Sequence, residues 1–181
     1  MSVFADLETT HWAYESIVAL KDEGIISGKG DGSFAPNDNV TREEFVKMLV
    51  LSLGLNNTDG ETPVLSDMSG NEWFAPYVYA AFNNGIVNGI GEGFGVGQNI
   101  TRQDMAVLCA RAIEFKAVTL EPVRENMAFA DEISDYAKDA VAKLWGAGLV
   151  NGKSETEFAP TATATRAEAA KMLYEVLKAI R

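Results

Sequence analysis

One stretch of this sequence occurs three times, and that repetition limits the possible folds more than any other property of the chain. The first copy runs from Gly24-Ile25-Ile26-Ser27-Gly28 through Asp31-Gly32-Ser33-Phe34-Ala35-Pro36 to Val40-Thr41-Arg42-Glu43-Glu44. The second spans Gly85 to Met105 and is one residue shorter; the third spans Gly148 to Ala169. Aligning the Thr-Arg pairs superposes Arg42, Arg102 and Arg166. Self-similarity at a regular period marks supersecondary units that cannot bury an apolar face alone and so pack on their neighbours. The repeats are expected over 1–55, 62–115 and 126–181, filling the 181-residue chain as a single domain.

Each unit reads as helix, loop, helix. The first helix is announced by apolar residues at helical spacing: Ala13, Ile17 and Leu20, then Val78 and Ala81, then Ala137, Val141 and Leu144. Pro76 is tolerated in a first turn, and Ser134 is the expected N-cap in the third copy. Gly24-Ile25, Gly85-Ile86 and Gly148-Leu149 read as Schellman stops with their apolar partner. Between the helices lies a compact Gly-rich loop. Gly28, Gly89 and Gly152 share one place in it, Phe34 and Phe158 another, and Gly97 is aligned with Pro36 and Pro160. Thr41-x-x-Glu44 and Thr165-x-x-Glu168 are capping boxes that open the second helix, with Thr101-x-x-Asp104 a weaker variant. The linker from Asn56 to Pro63 is polar and turn-forming; the one from Glu114 to Met127 carries Phe115, Val118 and Leu120 and is expected to pack. The fold class is therefore all-α.

Composition removes several function classes. A net charge of −11 disfavours duplex nucleic acid, which needs clustered Lys and Arg. No apolar run reaches the length of a membrane span. The residues from Met1 to Asp6 show neither a basic region nor a long apolar run, so no signal peptide is read there, and an exported protein would be represented by its mature part. Cys109, the single cysteine, aligns with Leu49 and Leu173 and is expected in the core. His11, the single histidine, has no counterpart in the other copies, which argues against a nucleophile–base pair. A calcium loop counted from Asp31 fails, because Ala35 and Pro36 stand at its fifth and sixth positions. No metal, cofactor or catalytic residue is expected.

The informative oddity is the arginine after each capping threonine. Arg42, Arg102 and Arg166 fall at N1, where a cation opposes the positive end of the helix dipole at a cost of about 0.3–1 kcal/mol. Two partners can compensate. One is an internal carboxylate, from Asp6, Asp67 or Asp131 at the head of each repeat, or from the glutamates that follow. The other is a bound anion held by the guanidinium and the free helix amides. Trp12, Trp73 and Tyr136, at the head of each first helix, read either as core aromatics or as platforms for a sugar ring. Lys29 and Lys153 could add a second cation to such a site; Ile90, in the same place, cannot.

The ordered set Trp12, Gly24 to Gly28, Asp31 to Phe34, Pro36 and Val40 to Glu44 closely resembles an S-layer homology (SLH) repeat, and the other two copies resemble it more loosely. The resemblance implies a pseudo-threefold assembly in which each repeat gives a helix to a central bundle, with grooves between neighbouring repeats. It also implies an extracellular bacterial protein anchored without covalent bonds to the cell wall through an anionic secondary cell-wall polysaccharide, often pyruvylated. In that scheme Arg42, Arg102 and Arg166 hold the carboxylate and Trp12, Trp73 and Tyr136 pack the sugar. Asp6, Asp67 and Asp131 bond its polar groups, and the backbone at Gly28, Gly89 and Gly152 lines the groove. Sites drawing on the first repeat are expected to be the most intact, since repeat two lacks the lysine and repeat three has Tyr136 for Trp, Glu155 for Asp and Thr156 for Gly. The alternative is a structural or self-associating scaffold whose ligand sites have degenerated.

Overall fold

The computed structural model describes residues 3–55, 60 and 62–181. Its helices are α1 (Tyr14–Asp22), α2 (Arg42–Leu53), α3 (Ala75–Asn83), α4 (Arg102–Phe115), α5 (Asp135–Gly146) and α6 (Arg166–Ile180), and the described residues contain isolated bridges in place of a sheet. Most of the Asn56–Pro63 linker lies outside the described residues.

Local chemistry sets the helix ends. Thr41 Oγ1 accepts from the Glu44 amide at 3.4 Å while Glu44 Oε2 accepts from the Thr41 amide at 3.0 Å, and Thr165 and Glu168 repeat the exchange. At α4, Thr101 Oγ1 accepts from the Asp104 amide at 3.2 Å, but the reciprocal bond is replaced by the threonine hydroxyl donating to Asp104 Oδ2 at 2.7 Å. Aspartate is one methylene shorter than the glutamate of a full box. Gly24, Gly85 and Gly148, at φ near 70°, close α1, α3 and α5, and the next amide in each case reaches back to Leu20, Ala81 or Leu144 at 2.9 Å. Ser134 does hold the N-cap position of α5, yet its hydroxyl accepts from Gln103 Nε2 at 3.1 Å rather than from a helix amide.

The three second helices α2, α4 and α6 all touch one another and form the centre. Each first helix packs not on the second helix of its own repeat but on that of the preceding one: α3 on α2, α5 on α4, and α1 on α6. A triangle of main-chain bonds ties the repeats just ahead of the central helices. Val40 donates to Ala164, Ala164 to Ile100 and Ile100 to Val40, each at 3.0 Å. The apolar stripes of these helices, including Phe45, Leu49, Met105, Leu108 and Leu173, share one core. Cys109 is buried among them as expected, and desolvation pushes its thiol up to about 12, which leaves it an inert hydrophobe. In the second linker Val118 and Leu120 pack against the core while Phe115 stays exposed.

Candidate functional site

The Gly-rich loops are built first, because everything in the site leans on them. A Cβ at Gly28 would lie 2.3 Å from the Ser33 carbonyl oxygen, one at Gly89 2.9 Å from that of Gly93, and one at Gly152 2.5 Å from that of Glu157. The shared glycine is thus required by close backbone approach inside each loop. The aspartates at the head of each repeat clamp the far side. Asp6 accepts from the Phe34 and Ala35 amides at 2.7 Å, Asp67 from Phe94, Gly95 and Val96 at 2.7 to 2.9 Å, and Asp131 from Phe158 and Ala159 at 2.9 and 2.5 Å. Burial raises the carboxyl pKa of Asp6 and Asp67, but the amide bonds together outweigh it and hold both below the ordinary aspartate value. The clamp holds Ala35 and Ala159 in the left-handed region at φ 57°.

Asp6, Asp67 and Asp131 thus have loop amides, not the repeat arginines, as their hydrogen-bond partners, and they are not among the residues that line the grooves described below. The pairing of Phe94 with Asp67 also puts Val96, not Gly97, in the place of Pro36 and Pro160. The one-residue shortening therefore lies upstream of Phe94.

The helix amides are not free either. Arg42, Arg102 and Arg166 donate their N1 amides to the carbonyls of Gln98, Ala162 and Asp38, at 2.9, 3.0 and 2.8 Å. Gln103 and Ala167, at N2, donate to Pro160 and Pro36, each at 3.0 Å. A neighbouring loop thus occupies the helix N-terminus that an external anion would have used.

Each guanidinium instead crosses into the next repeat, lies over its loop phenylalanine and ends at its loop carbonyls. Arg102 lies 4.9 Å over Phe158, donates Nε to the Phe158 carbonyl at 2.9 Å and Nη2 to Asn151 at 2.8 Å. Arg166 lies 4.8 Å over Phe34 and donates to the carbonyls of Phe34 and Ser27 at 2.8 and 3.2 Å. Arg42 lies 5.3 Å over Phe94 and makes one longer bond, Nη2 to the Asn88 carbonyl at 3.4 Å. All three are buried.

Three grooves result, and each draws on all three repeats. Groove I joins Arg166, the loop and α2 of repeat one (Gly28, Lys29, Glu44, Lys47) and Trp73 of repeat two. Groove II joins Arg42, the loop and α4 of repeat two (Gly89, Ile90, Asp104, Arg111) and Tyr136 of repeat three. Groove III joins Arg102, the loop and α6 of repeat three (Gly152, Lys153, Glu168, Lys171) and Trp12 of repeat one. The aromatics are not core residues: Trp12, Trp73 and Tyr136 are 60%, 57% and 60% exposed. Tyr136 is latched, its hydroxyl donating to Asp104 Oδ1 at 2.9 Å and accepting from Gln103 Nε2 at 2.9 Å. Desolvation, then the bond to Asp104, pushes its phenol up to about 12.

Internal carboxylates do meet two of the arginines, but they come from the capping box of the following repeat. Arg102 Nη1 pairs with Glu168 at 3.2 Å and Arg166 Nη1 with Glu44 at 3.6 Å. Lys153 and Lys29 share the same two glutamates. Groove I is the smallest of the three, at roughly 100 Å³ against 360 Å³ for groove III and 400 Å³ for groove II. Lys47 sits there 5.3 Å from Trp73 and 5.7 Å from Tyr77. The groove built on repeat one thus has the least volume, although its motif is the fullest. Lys47 and Arg111 line the site without having been expected there. Lys47 has Lys171 in its register in repeat three but Val107 in repeat two, and Leu51 and Glu175 hold the register of Arg111 in the other repeats.

No group of His, Cys, Asp and Glu among the described residues is arranged to hold a metal, and no described helix is long and apolar enough to cross a membrane. The sequence pattern of the S-layer homology domain matches residues 3–46, 65–106 and 129–170. An amylopullulanase of Thermoanaerobacterium thermosulfurigenes is 35% identical over 93% of the chain, and an S-layer protein of Bacillus thuringiensis subsp. finitimus is 30% identical over 94%. The S-layer protein sap of Bacillus anthracis is likewise 30% identical over 94%. The chain spans only 9%, 21% and 20% of the lengths of these relatives. With three matched copies covering most of its residues, the chain belongs to the S-layer homology domain family.

Proposed function

We propose that the chain is a non-catalytic anchoring module that binds an anionic secondary cell-wall polysaccharide, pyruvylated at its terminal sugar, in the grooves between its repeats, and so operates at the bacterial cell surface. The observation that carries this is the threefold recurrence of one constellation. A buried arginine lies over a phenylalanine, its Nη groups reach the loop at the groove, and an exposed aromatic from another repeat stands in the groove lining. A guanidinium fork matches a ketal carboxylate, and an indole or phenol face matches the apolar face of a sugar. The kinship supports the non-catalytic reading, since the same segment is shared by an amylopullulanase and by S-layer proteins, whose common property is not one reaction.

The test is co-sedimentation with purified wall sacculi whose polysaccharide is pyruvylated, native and after mild acid removal of pyruvate. Binding to native sacculi that is lost on treatment is the expected result. Equal binding to both would move recognition to another sugar or to peptidoglycan, and failure to bind either would overturn the anchoring reading.

A further inference from the structure

Groove II is charged differently from the other two. In grooves I and III the arginine is already paired with a capping-box glutamate. In groove II the equivalent acid is Asp104, and both its oxygens are occupied, Oδ2 by the Thr101 hydroxyl and Oδ1 by the Tyr136 hydroxyl. Arg42 is 7% exposed, and its Nε has no hydrogen-bond partner among the described residues. The loop position that carries Lys29 and Lys153 elsewhere is Ile90 here. Yet the groove contains a second cation, because Arg111 projects into it from further along α4.

We propose that Arg111 is the second cation of groove II, replacing the loop lysine, and that Arg42 and Arg111 together grip the carboxylate of the bound sugar. This rests on the reading of the grooves as glycan sites. Asn88 positions both guanidiniums. Its backbone carbonyl accepts from Arg42 Nη2 at 3.4 Å, and its amide, turned so that both its groups are satisfied, accepts from Arg111 Nη2 at 3.2 Å. Arg111 Nη1 is steadied by the Ile86 carbonyl at 3.4 Å. Neither arginine forms an ion pair among the described residues. Arginine does not shed its proton under such conditions, so two like charges facing one groove call for an external anion. Burial, the larger influence, and the nearby Arg111 both lower the Arg42 pKa, against a pull from Asp104. An incoming carboxylate meets no capping-box glutamate already paired with the arginine in this groove, whereas it does in the other two. It meets two planar forks where groove III offers one fork and two lysines, Lys153 and Lys171, and planar forks favour bidentate geometry.

The probe is a synthetic N-acetylhexosamine glycoside bearing a pyruvate ketal, with its methyl ester as the uncharged control, titrated into the labelled chain by amide NMR. Gly28, Gly89 and Gly152 report their own grooves. In the unsubstituted chain the acid is expected to shift Gly89 and the ester to leave it unmoved. Arg111→Ala is expected to weaken the Gly89 response roughly tenfold, a factor worth about 1.4 kcal/mol, with Gly152 titrating as before. Adding Ile90→Lys to Arg111→Ala is expected to restore the Gly89 response, which a role confined to propping Ile86 and Asn88 would not allow. An unchanged Gly89 response in Arg111→Ala, or no rescue by the lysine, would overturn the proposal while leaving the groove reading intact. Silence of all three glycines in the unsubstituted chain would overturn both. Should Arg111→Ala unfold, Arg111→Leu, which places the residue of repeat one in that register, gives the same comparison.

Discussion

Arg102 and Asn151 are joined across two repeats by a 2.8 Å bond from Nη2 to a main-chain carbonyl, and the same guanidinium holds the Phe158 carbonyl and Glu168. The residue that faces the groove is therefore also a strut between neighbouring repeats. Arg42, its counterpart, has a single long bond to Asn88. The three arginines are alike in sequence and unequal in how much structure depends on them.

Arg102→Ala is accordingly expected to destabilise the fold by about 3 kcal/mol, since it leaves Glu168 and two loop carbonyls without their buried partner. Arg42→Ala is expected to cost about 1 kcal/mol or less, because it removes a buried charge that is poorly satisfied. Urea unfolding of the two variants checks the order; an equal or reversed cost would contradict it.

Trp12→Ala is expected to change stability by no more than about 0.5 kcal/mol, the usual range for an exposed side chain. It should weaken glycan binding at groove III by about 0.5–1.5 kcal/mol, the scale of one aromatic contact. A large loss of thermal stability would return Trp12 to the core role that its exposure denies.

Asp67 accepts three loop amides, so Asp67→Ala is expected to cost about 1–2 kcal/mol and to loosen the loop that presents Gly89, as read by hydrogen exchange of the Phe94 to Val96 amides. The sign of the pH effect follows from the lowered carboxyl pKa of Asp6 and Asp67. Each binds its proton more weakly when folded. Their contribution is present above the ordinary aspartate value of about 3.9 and is lost as pH falls through the lower folded-state value. Acid titration of stability should show this loss, and it should shrink in Asp67→Ala.

The middle repeat alone, residues 62–115, is expected to remain unfolded by circular dichroism. Its α3 packs on α2 and its α4 carries α5, so excision exposes both apolar faces and joins neither. A cooperative melting transition in that fragment would show that the interlock is dispensable.

Much of this was legible beforehand. The capping boxes, the Schellman glycines, the apolar stripes and the buried Cys109 depend on residues a few positions apart, and local geometry fixes them. The arginine register followed from repetition alone, whereas the aromatics read equally as core residues or as platforms until their exposure decided it. What could not be read were the partners of long-range groups: the aspartate clamps, the loop carbonyls that fill the helix N-termini, the contact of Lys47 with Trp73 in groove I, and Arg111.

The sequence by itself determined three all-α helix-loop-helix units and the residue types each presents, because propensity, capping and period act within one unit. Only the tertiary structure decided which unit meets which. Each first helix leaves its own repeat for the preceding one, and each arginine reaches the loop of the next. That choice depends on how three similar faces close into a ring at once, a condition on the whole chain that no single repeat carries.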